Sequence, residues 1–178
     1  MDESEREARF EPMFRDHVDA IRRYARVRLG SPEEAEDVTQ QTFLVAFRRL
    51  EELKDDRELA WLYGIAQLTT LSYRRSRDRQ GAIVAKMQLE RLPPVQDAGV
   101  LPLVFRALAL LGEIDREVLL LHAVDGLSGR EAAMVLGCSP AAYRVRLHRA
   151  RRRLRDRLAE LDPASSLDSL TGREVFSW

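Results

Sequence analysis

Apolar residues recur at helical spacing along most of the chain, whereas the alternation of apolar and polar residues that is typical of strands is weak throughout. Gly30 interrupts the first stretch, as a glycine just beyond a helix end commonly does. Ser31 can cap the next helix, Pro32 suits its first position, and Glu34 can close a capping box with Ser31. The pattern therefore predicts two helices that meet at Gly30. The first would carry an apolar stripe made of Phe10, Phe14, Ile21, Tyr24 and Leu29.

The second predicted helix meets no breaker before about Leu53. A third is predicted from about Asp56 to Arg79, with arginines at its C-terminal end, where they complement the helix dipole. Between residues 80 and 101 the periodicity loosens, and Pro93-Pro94 opposes a continuous helix. We interpret this segment as a flexible linker with room for one short helix at residues 83–92.

A tight turn between two helices is the clearest local signal, in GLSGREAAMVLGCSPAAYRVRLHRARRRL. Ser128 can cap the first of these helices, which would end at Gly137, and Cys138 fills the turn. Ser139 can cap the second helix, with Pro140 at its first position. Such a short connection is typical of a helix-turn-helix, because the first helix braces the second while its N-terminal turns enter the major groove.

A chain of 178 residues with 45% apolar content can bury one ordinary core or two small ones. The helical blocks favour the second arrangement. We predict an all-α fold with two small helical domains joined by a flexible linker, the C-terminal one a helix-turn-helix. The predicted parts are a first domain at 1–79, the linker at 80–101, a second domain at 102–160 and a tail at 161–178. In the tail, Phe176 and Trp178 would pack on the second domain or make a regulatory contact.

The formal net charge of zero hides a strong asymmetry along the chain. Residues 139–158 contain many arginines and a single acid, Asp156. A second basic cluster lies at residues 74–79, whereas the first third is acidic. This distribution indicates a polyanion that is contacted at two separate sites, and a different partner for the acidic first third.

Several classes of function lack support in the sequence. The single cysteine, Cys138, excludes an intramolecular disulfide, and its spacing from the histidines fits no metal site. The charged N-terminal stretch is unlike a signal peptide, and no apolar run approaches the ~20 residues that cross a bilayer. No Gly-x-Ser-x-Gly elbow or phosphate-binding glycine loop is present. We therefore expect a cytoplasmic, non-enzymatic protein without cofactor, metal, small-molecule substrate or membrane insertion.

In the arginine-rich helix, Arg144 and Arg149 are candidates for contacts with base edges. Five further arginines cannot all face the groove and are better suited to phosphates: Arg146, Arg151, Arg152, Arg153 and Arg155. The alternative is a solvated amphipathic helix whose arginines pair with acids elsewhere in the protein.

Over about residues 8–158, three segments in order resemble an extracytoplasmic-function (ECF) sigma factor, the minimal kind of sigma-70 family RNA polymerase subunit. The helix that docks on the polymerase clamp is resembled by AEDVTQQTFLVAFRRL. The segment that opens and holds the −10 promoter element is resembled by ELAWLYGIAQLTTLSYRRSRDR. LGEIDREVLLLHAVDGLSGREAAMVLGCSPAAYRVRLHRARRRL resembles the domain that reads the −35 element. The resemblance implies core RNA polymerase and promoter DNA as partners, and control by an anti-sigma factor.

The resemblance also implies residues for each role. Those that would bind polymerase are Asp37, Gln40, Gln41 and Phe43. Those that would bind and melt the −10 element are Trp61, Gln67, Tyr73, Arg74, Arg75 and Arg77. Those that would bind the −35 element are Ser139, Arg144, Val145, Arg146, His148, Arg149, Arg151 and Arg152. Aromatic surface beside positive charge can keep single-stranded bases from restacking, although Trp61 on an apolar stripe is also a natural core residue. His148 is either a contact residue or simply exposed.

Four positions depart from the family pattern: Gln41 stands where Glu is usual, and Gln67, Leu68 and Ser72 differ in the strand-opening helix. These departures leave two rivals to a working sigma factor. One is a helix-turn-helix regulator that acts without polymerase. The other is a sigma-like decoy that binds an anti-sigma factor and opens no promoter.

Overall fold

The computed structural model describes residues 2–53, 57–80 and 100–162, without the side chains of 78–80 and 100–102. Every regular element in these ranges is helical, which confirms the all-α prediction. The helices are α1 (Glu3–Leu29), α2 (Pro32–Arg48), α3 (Glu58–Gln80), α4 (Val100–Ala109), α5 (Glu113–Ala123), α6 (Gly129–Val135) and α7 (Pro140–Leu161), with a 3₁₀ turn at Leu50–Glu52. The predicted short helix at 83–92 and the tail residues Phe176 and Trp178 lie outside the described residues.

The junction between α1 and α2 follows the sequence signals, with one correction. Gly30 has φ 78°, the left-handed conformation that ends α1. The Ser31 hydroxyl accepts a hydrogen bond from the Glu34 amide at 3.3 Å, with Pro32 in the first turn. The predicted capping box is not closed, because the Glu34 carboxylate pairs with Arg77 of α3 and not with the Ser31 amide. The Ser31 hydroxyl also donates to the Glu33 carboxylate at 2.8 Å.

The helices form two compact units. In the first lobe, α1, α2 and α3 pack against one another. Tyr24 and Tyr63 are fully buried, with ring centroids 5.3 Å apart. A second group of rings joins α1 to α2, made of Phe10, Phe14, Phe43 and Phe47. Burying an aromatic or aliphatic side chain of this size stabilises a fold by about 1.5–3 kcal/mol, so these contacts fix the positions of the three helices.

In the second lobe, α4 and α5 both pack on α7. The buried residues of this lobe include Val118 and Leu121 of α5 and Tyr143 and Leu154 of α7. The Arg116 guanidinium donates hydrogen bonds to three backbone carbonyls at the end of α4, those of Leu108, Ala109 and Leu111. The last carbonyls of an α-helix have no partner four residues further on, so a single side chain helps to satisfy the C-terminal end of α4 and fixes its connection to α5.

Candidate nucleic-acid interface

Two consecutive capping motifs build the turn between α6 and α7. Ser128 and Glu131 form a reciprocal capping box at the start of α6, with bonds of 2.8 and 3.3 Å. At its end, Gly137 has φ 59° and its amide bonds to the Met134 carbonyl, while the Cys138 amide bonds to that of Ala133. This pair of bonds is a Schellman motif. The chain therefore reverses within the few residues that a helix-turn-helix allows.

The orientation of α7 is set at its first turns. The Ser139 hydroxyl accepts the Ala142 amide at 3.1 Å, and Pro140 is the first helical residue. One turn later Tyr143 is 0% exposed, and its phenol donates to the Val118 carbonyl at 3.2 Å. Burial raises the pKa of this phenol to about 12. The N-terminal part of α7 is thus attached to α5 by a neutral, buried side chain.

The predicted −35 residues lie mostly on the exposed side of α7. At 100° per residue, the helix places Val145, His148, Arg149 and Arg152 opposite the buried stripe of Tyr143 and Leu154, and all four are exposed. On the flanks, Arg144 and Arg146 are exposed and Arg151 is half-buried. Ser139 is exposed at the cap. The helix therefore presents a continuous cationic face with one apolar residue, Val145, within it.

Ion pairs divide the arginines of α7 into two groups. Near its C-terminal half, Arg153 pairs with Asp115 of α5, and Arg157 pairs with Glu160 at 2.6 Å. Within residues 2–53, 57–80 and 100–162, no carboxylate pairs with Arg144, Arg146 or Arg149. The internal pairing that the solvated-helix alternative requires is thus found at the far end of α7, away from the turns that a helix-turn-helix inserts into DNA.

The residues expected at the −10 element occupy less uniform environments. Trp61 and Gln67 are half-buried on α3. The ring of Tyr73 is also half-buried and packs on a buried apolar cluster of α1 and α2, made of Ala25, Leu29, Ala35 and Val38. Burial raises the pKa of the Tyr73 phenol, and the nearby carboxylates of Glu34 and Asp37 raise it further. Part of this aromatic surface is therefore used for packing inside the first lobe.

The arginines of α3 also differ from one another. Arg74 donates to the backbone carbonyl of Arg28 at 2.5 Å, and Arg77 contacts the Glu34 carboxylate at 3.1 Å. Arg75, between them, is exposed. Arg74 and Arg77 thus make contacts within the first lobe, and the expectation that the three arginines contact the −10 element stays a prediction.

Three of the four residues predicted to bind polymerase lie on the exposed face of α2. Asp37, Gln40 and Gln41 are exposed, whereas Phe43 is only 3% exposed, and its ring centroid lies 4.8 Å from that of Phe14. The expectation for Phe43 is corrected: its side chain belongs to the core. The sequence interpretation missed Leu44, which is 52% exposed. The signal was available, because residues 37, 40, 41 and 44 follow the i, i+3, i+4, i+7 spacing of one helix face.

No helix within residues 2–53, 57–80 and 100–162 is long and apolar enough to cross a lipid bilayer. The same ranges contain no group of three or more His, Cys, Asp or Glu side chains arranged to hold a metal ion.

Comparison with known proteins gives consistent matches. The family models for Sigma-70 region 2 and Sigma-70, region 4 match residues 13–80 and 103–154. The ECF RNA polymerase sigma factor SigD of Mycobacterium tuberculosis is 34% identical over 164 residues, covering 82% of this chain and 76% of that protein. The RNA polymerase sigma factor CnrH of Cupriavidus metallidurans is 38% identical over 143 residues, covering 70% and 74%.

Among solved structures, CnrH in complex with the cytosolic domain of CnrY matches with a TM-score of 0.62 at 31% identity, over 88% of this chain and 89% of that one. The helical order, the helix-turn-helix and the two family models agree with these relatives. The chain belongs to the ECF family of sigma-70 RNA polymerase sigma factors.

Proposed function

We propose that this chain binds core RNA polymerase, directs it to specific promoters and assists strand opening. The observation that carries the proposal is the presence of two distinct exposed surfaces. One is the cationic face of α7, and the other is the stripe of α2 formed by residues 37, 40, 41 and 44. A regulator that acts without polymerase would need only the first surface.

The cationic face of α7 would bind the −35 element. Arg144 and Arg149 would contact base edges, and Val145 could meet a thymine methyl group. Arg146, Arg151 and Arg152 would neutralise phosphates, with His148 at the same surface. Ser139 would act mainly through its cap, which holds the first turn of α7.

The α2 stripe would bind polymerase, since an acidic and amide-rich surface with one exposed leucine suits a protein partner better than DNA. On α3, Trp61, Gln67 and Tyr73 would stack on or contact unpaired −10 bases. Each of these three side chains is half-buried, so a base would meet a fixed surface. Capture of unpaired bases would favour the melted state of the promoter without covalent chemistry.

An anti-sigma factor would regulate this activity. The solved relative CnrH is bound to the cytosolic domain of CnrY, and this chain matches CnrH over 88% of its own length. We extend that kind of partner to the present protein. The proposal also places the protein in the cytoplasm, where polymerase and promoters are found.

Binding to core polymerase tests this proposal. The full chain is mixed with core polymerase of its own host and separated by gel filtration, alongside an Arg149→Gln variant. Both proteins should elute with core, because Arg149 lies on the DNA-binding face and not on α2. Failure of the unmodified chain to elute with core would overturn the proposal in favour of a regulator that acts alone.

A further inference from the structure

The basic end of α3 is attached to the corner between α1 and α2 through three consecutive contacts. We propose that Arg74 and Arg77 are positioning residues that fix this end of α3, and that Glu34 fixes it together with them by pairing with Arg77. We call Tyr73, Arg74, Arg77 and Glu34 the α3 anchor. The inference deepens the proposed function. Only its statements about DNA binding rest on that function.

The first contact is apolar. The ring of Tyr73 packs against a buried group at the end of α1 and the start of α2, which includes Leu29, Ala35 and Val38. Tyr73 lies in the last two turns of α3, so this contact holds the helix at the level where its arginines begin.

The second contact satisfies the end of α1. The Arg74 guanidinium donates to the Arg28 carbonyl at 2.5 Å, and this carbonyl is one of the last four in α1, which have no partner within the helix. A cation at a helix C-terminus also meets the negative end of the helix dipole. A phosphate contact by Arg74 would require this bond to break.

The third contact joins α3 to the first turn of α2. One nitrogen of Arg77 lies 3.1 and 3.5 Å from the two carboxylate oxygens of Glu34, and both side chains are partly buried, at 36% and 22% exposure. A phosphate near Arg77 would therefore compete with Glu34 and would be repelled by it.

The two possible roles of Arg77 predict opposite results for removal of Glu34. If Arg77 contacts DNA, Glu34→Gln frees a cation and strengthens DNA binding. If Arg77 positions α3, Glu34→Gln and Arg77→Gln both loosen the anchor, and the double variant is no worse than either single variant.

The experiment measures thermal unfolding and DNA binding of the full chain and of four variants: Glu34→Gln, Arg77→Gln, their combination and Arg77→Lys. The DNA probe is a fluorescein-labelled single strand of random sequence, titrated over a series of KCl concentrations. Each measurement uses the protein alone, so neither depends on polymerase.

We expect Glu34→Gln and Arg77→Gln each to lower Tm by roughly 2–4 °C, with no further loss in the double variant and recovery in Arg77→Lys. The salt slope of DNA binding should stay unchanged in Arg77→Gln, whereas loss of a phosphate contact would lower it by about 0.7. Tighter binding by Glu34→Gln, additive Tm losses, or a lower salt slope in Arg77→Gln would each overturn the positioning role.

Failure of the proposed function has a different signature. If the chain does not bind core polymerase but the Tm losses of the Glu34 and Arg77 variants are not additive, the proposed function is wrong and the α3 anchor stands. If the chain binds core polymerase and opens promoters but these Tm losses are additive, the α3 anchor is wrong and the proposed function stands.

Discussion

The Tyr143 phenol on α7 donates a hydrogen bond to the Val118 carbonyl on α5, over 3.2 Å. The bond lies one turn from the cap of the helix that carries the candidate −35 residues. Because Tyr143 is fully buried, the attachment is shielded from solvent and fixes the rotation of α7 about its own axis.

Replacing Tyr143 by Phe should keep the packing and remove only this bond. We expect the free energy of unfolding to fall by about 1 kcal/mol, measured by urea denaturation of the full chain. DNA affinity should fall with it, because the first turns of α7 lose a constraint. A variant as stable as the original protein would show that the bond contributes nothing.

The same residue predicts a dependence of stability on alkaline pH. Burial raises the pKa of the folded Tyr143 phenol to about 12, above the value near 10 of an unfolded tyrosine. The folded state therefore keeps a proton that the unfolded state loses first. This contribution to stability is complete below about pH 10 and is lost as the pH rises towards about 12. Denaturation curves across this range should show a smaller loss for Tyr143→Phe than for the unmodified chain, and an identical loss would contradict the assignment.

The division of the α7 arginines by ion pairing predicts unequal effects of equal charge changes. Arg149→Gln should lower the slope of log affinity against log salt by about 0.9 for a random-sequence duplex. Arg157→Gln removes the same charge from the same helix, but Arg157 already pairs with Glu160 at 2.6 Å, so the slope should barely change. Fluorescence anisotropy over a KCl series measures both. Equal slopes for the two variants would mean that position along α7 does not matter.

The α2 stripe predicts a specific defect in polymerase binding. Leu44→Asp places a charge at an exposed leucine and should weaken binding to core by at least about 10-fold, as loss of a central apolar contact commonly does. Val27→Asp is the matched control, because Val27 is an exposed apolar residue of α1 outside the stripe. Surface plasmon resonance with immobilised core measures both, and similar affinities for the two variants would argue against the stripe.

Phe43 should behave as a core residue. Its ring contacts those of Phe10 and Phe14 in edge-to-face arrangements, so Phe43→Ala should lower the free energy of unfolding by about 3–4 kcal/mol. Urea denaturation without polymerase is the measurement. If the variant is stable and loses only polymerase binding, the expectation from the sequence was right and the burial argument is wrong.

The elements that the sequence predicted well are those with local causes. Gly30 ends α1 and Ser139 starts α7 through hydrogen bonds within a few residues, and such signals can be read without knowing the fold. Helical spacing also explains the exposed face of α7, because its buried residues Tyr143, Ala150, Leu154 and Leu158 recur every one or two turns.

Contacts between distant parts of the chain set the environments that the sequence interpretation did not foresee. Glu34 pairs with Arg77 instead of closing the predicted capping box, and Arg74 bonds to α1, in both cases more than forty residues away in sequence. Phe43 was assigned from the family resemblance, whereas its contact with Phe14 of α1 places its ring in the core. The spacing of residues 37, 40, 41 and 44 indicated the exposed face of α2, but nothing in the sequence pointed to the partners of Glu34 and Arg74.

Run-off transcription tests the central claim most directly. Core polymerase is supplied with a pool of promoters of varied sequence, with and without the full chain, and the transcripts are sequenced. The account predicts specific start sites that appear only with the protein, preceded by two common sequence elements. If the chain binds core but no such transcripts appear, the departures at Gln41, Gln67, Leu68 and Ser72 have abolished promoter opening, and the protein is a decoy rather than a working sigma factor.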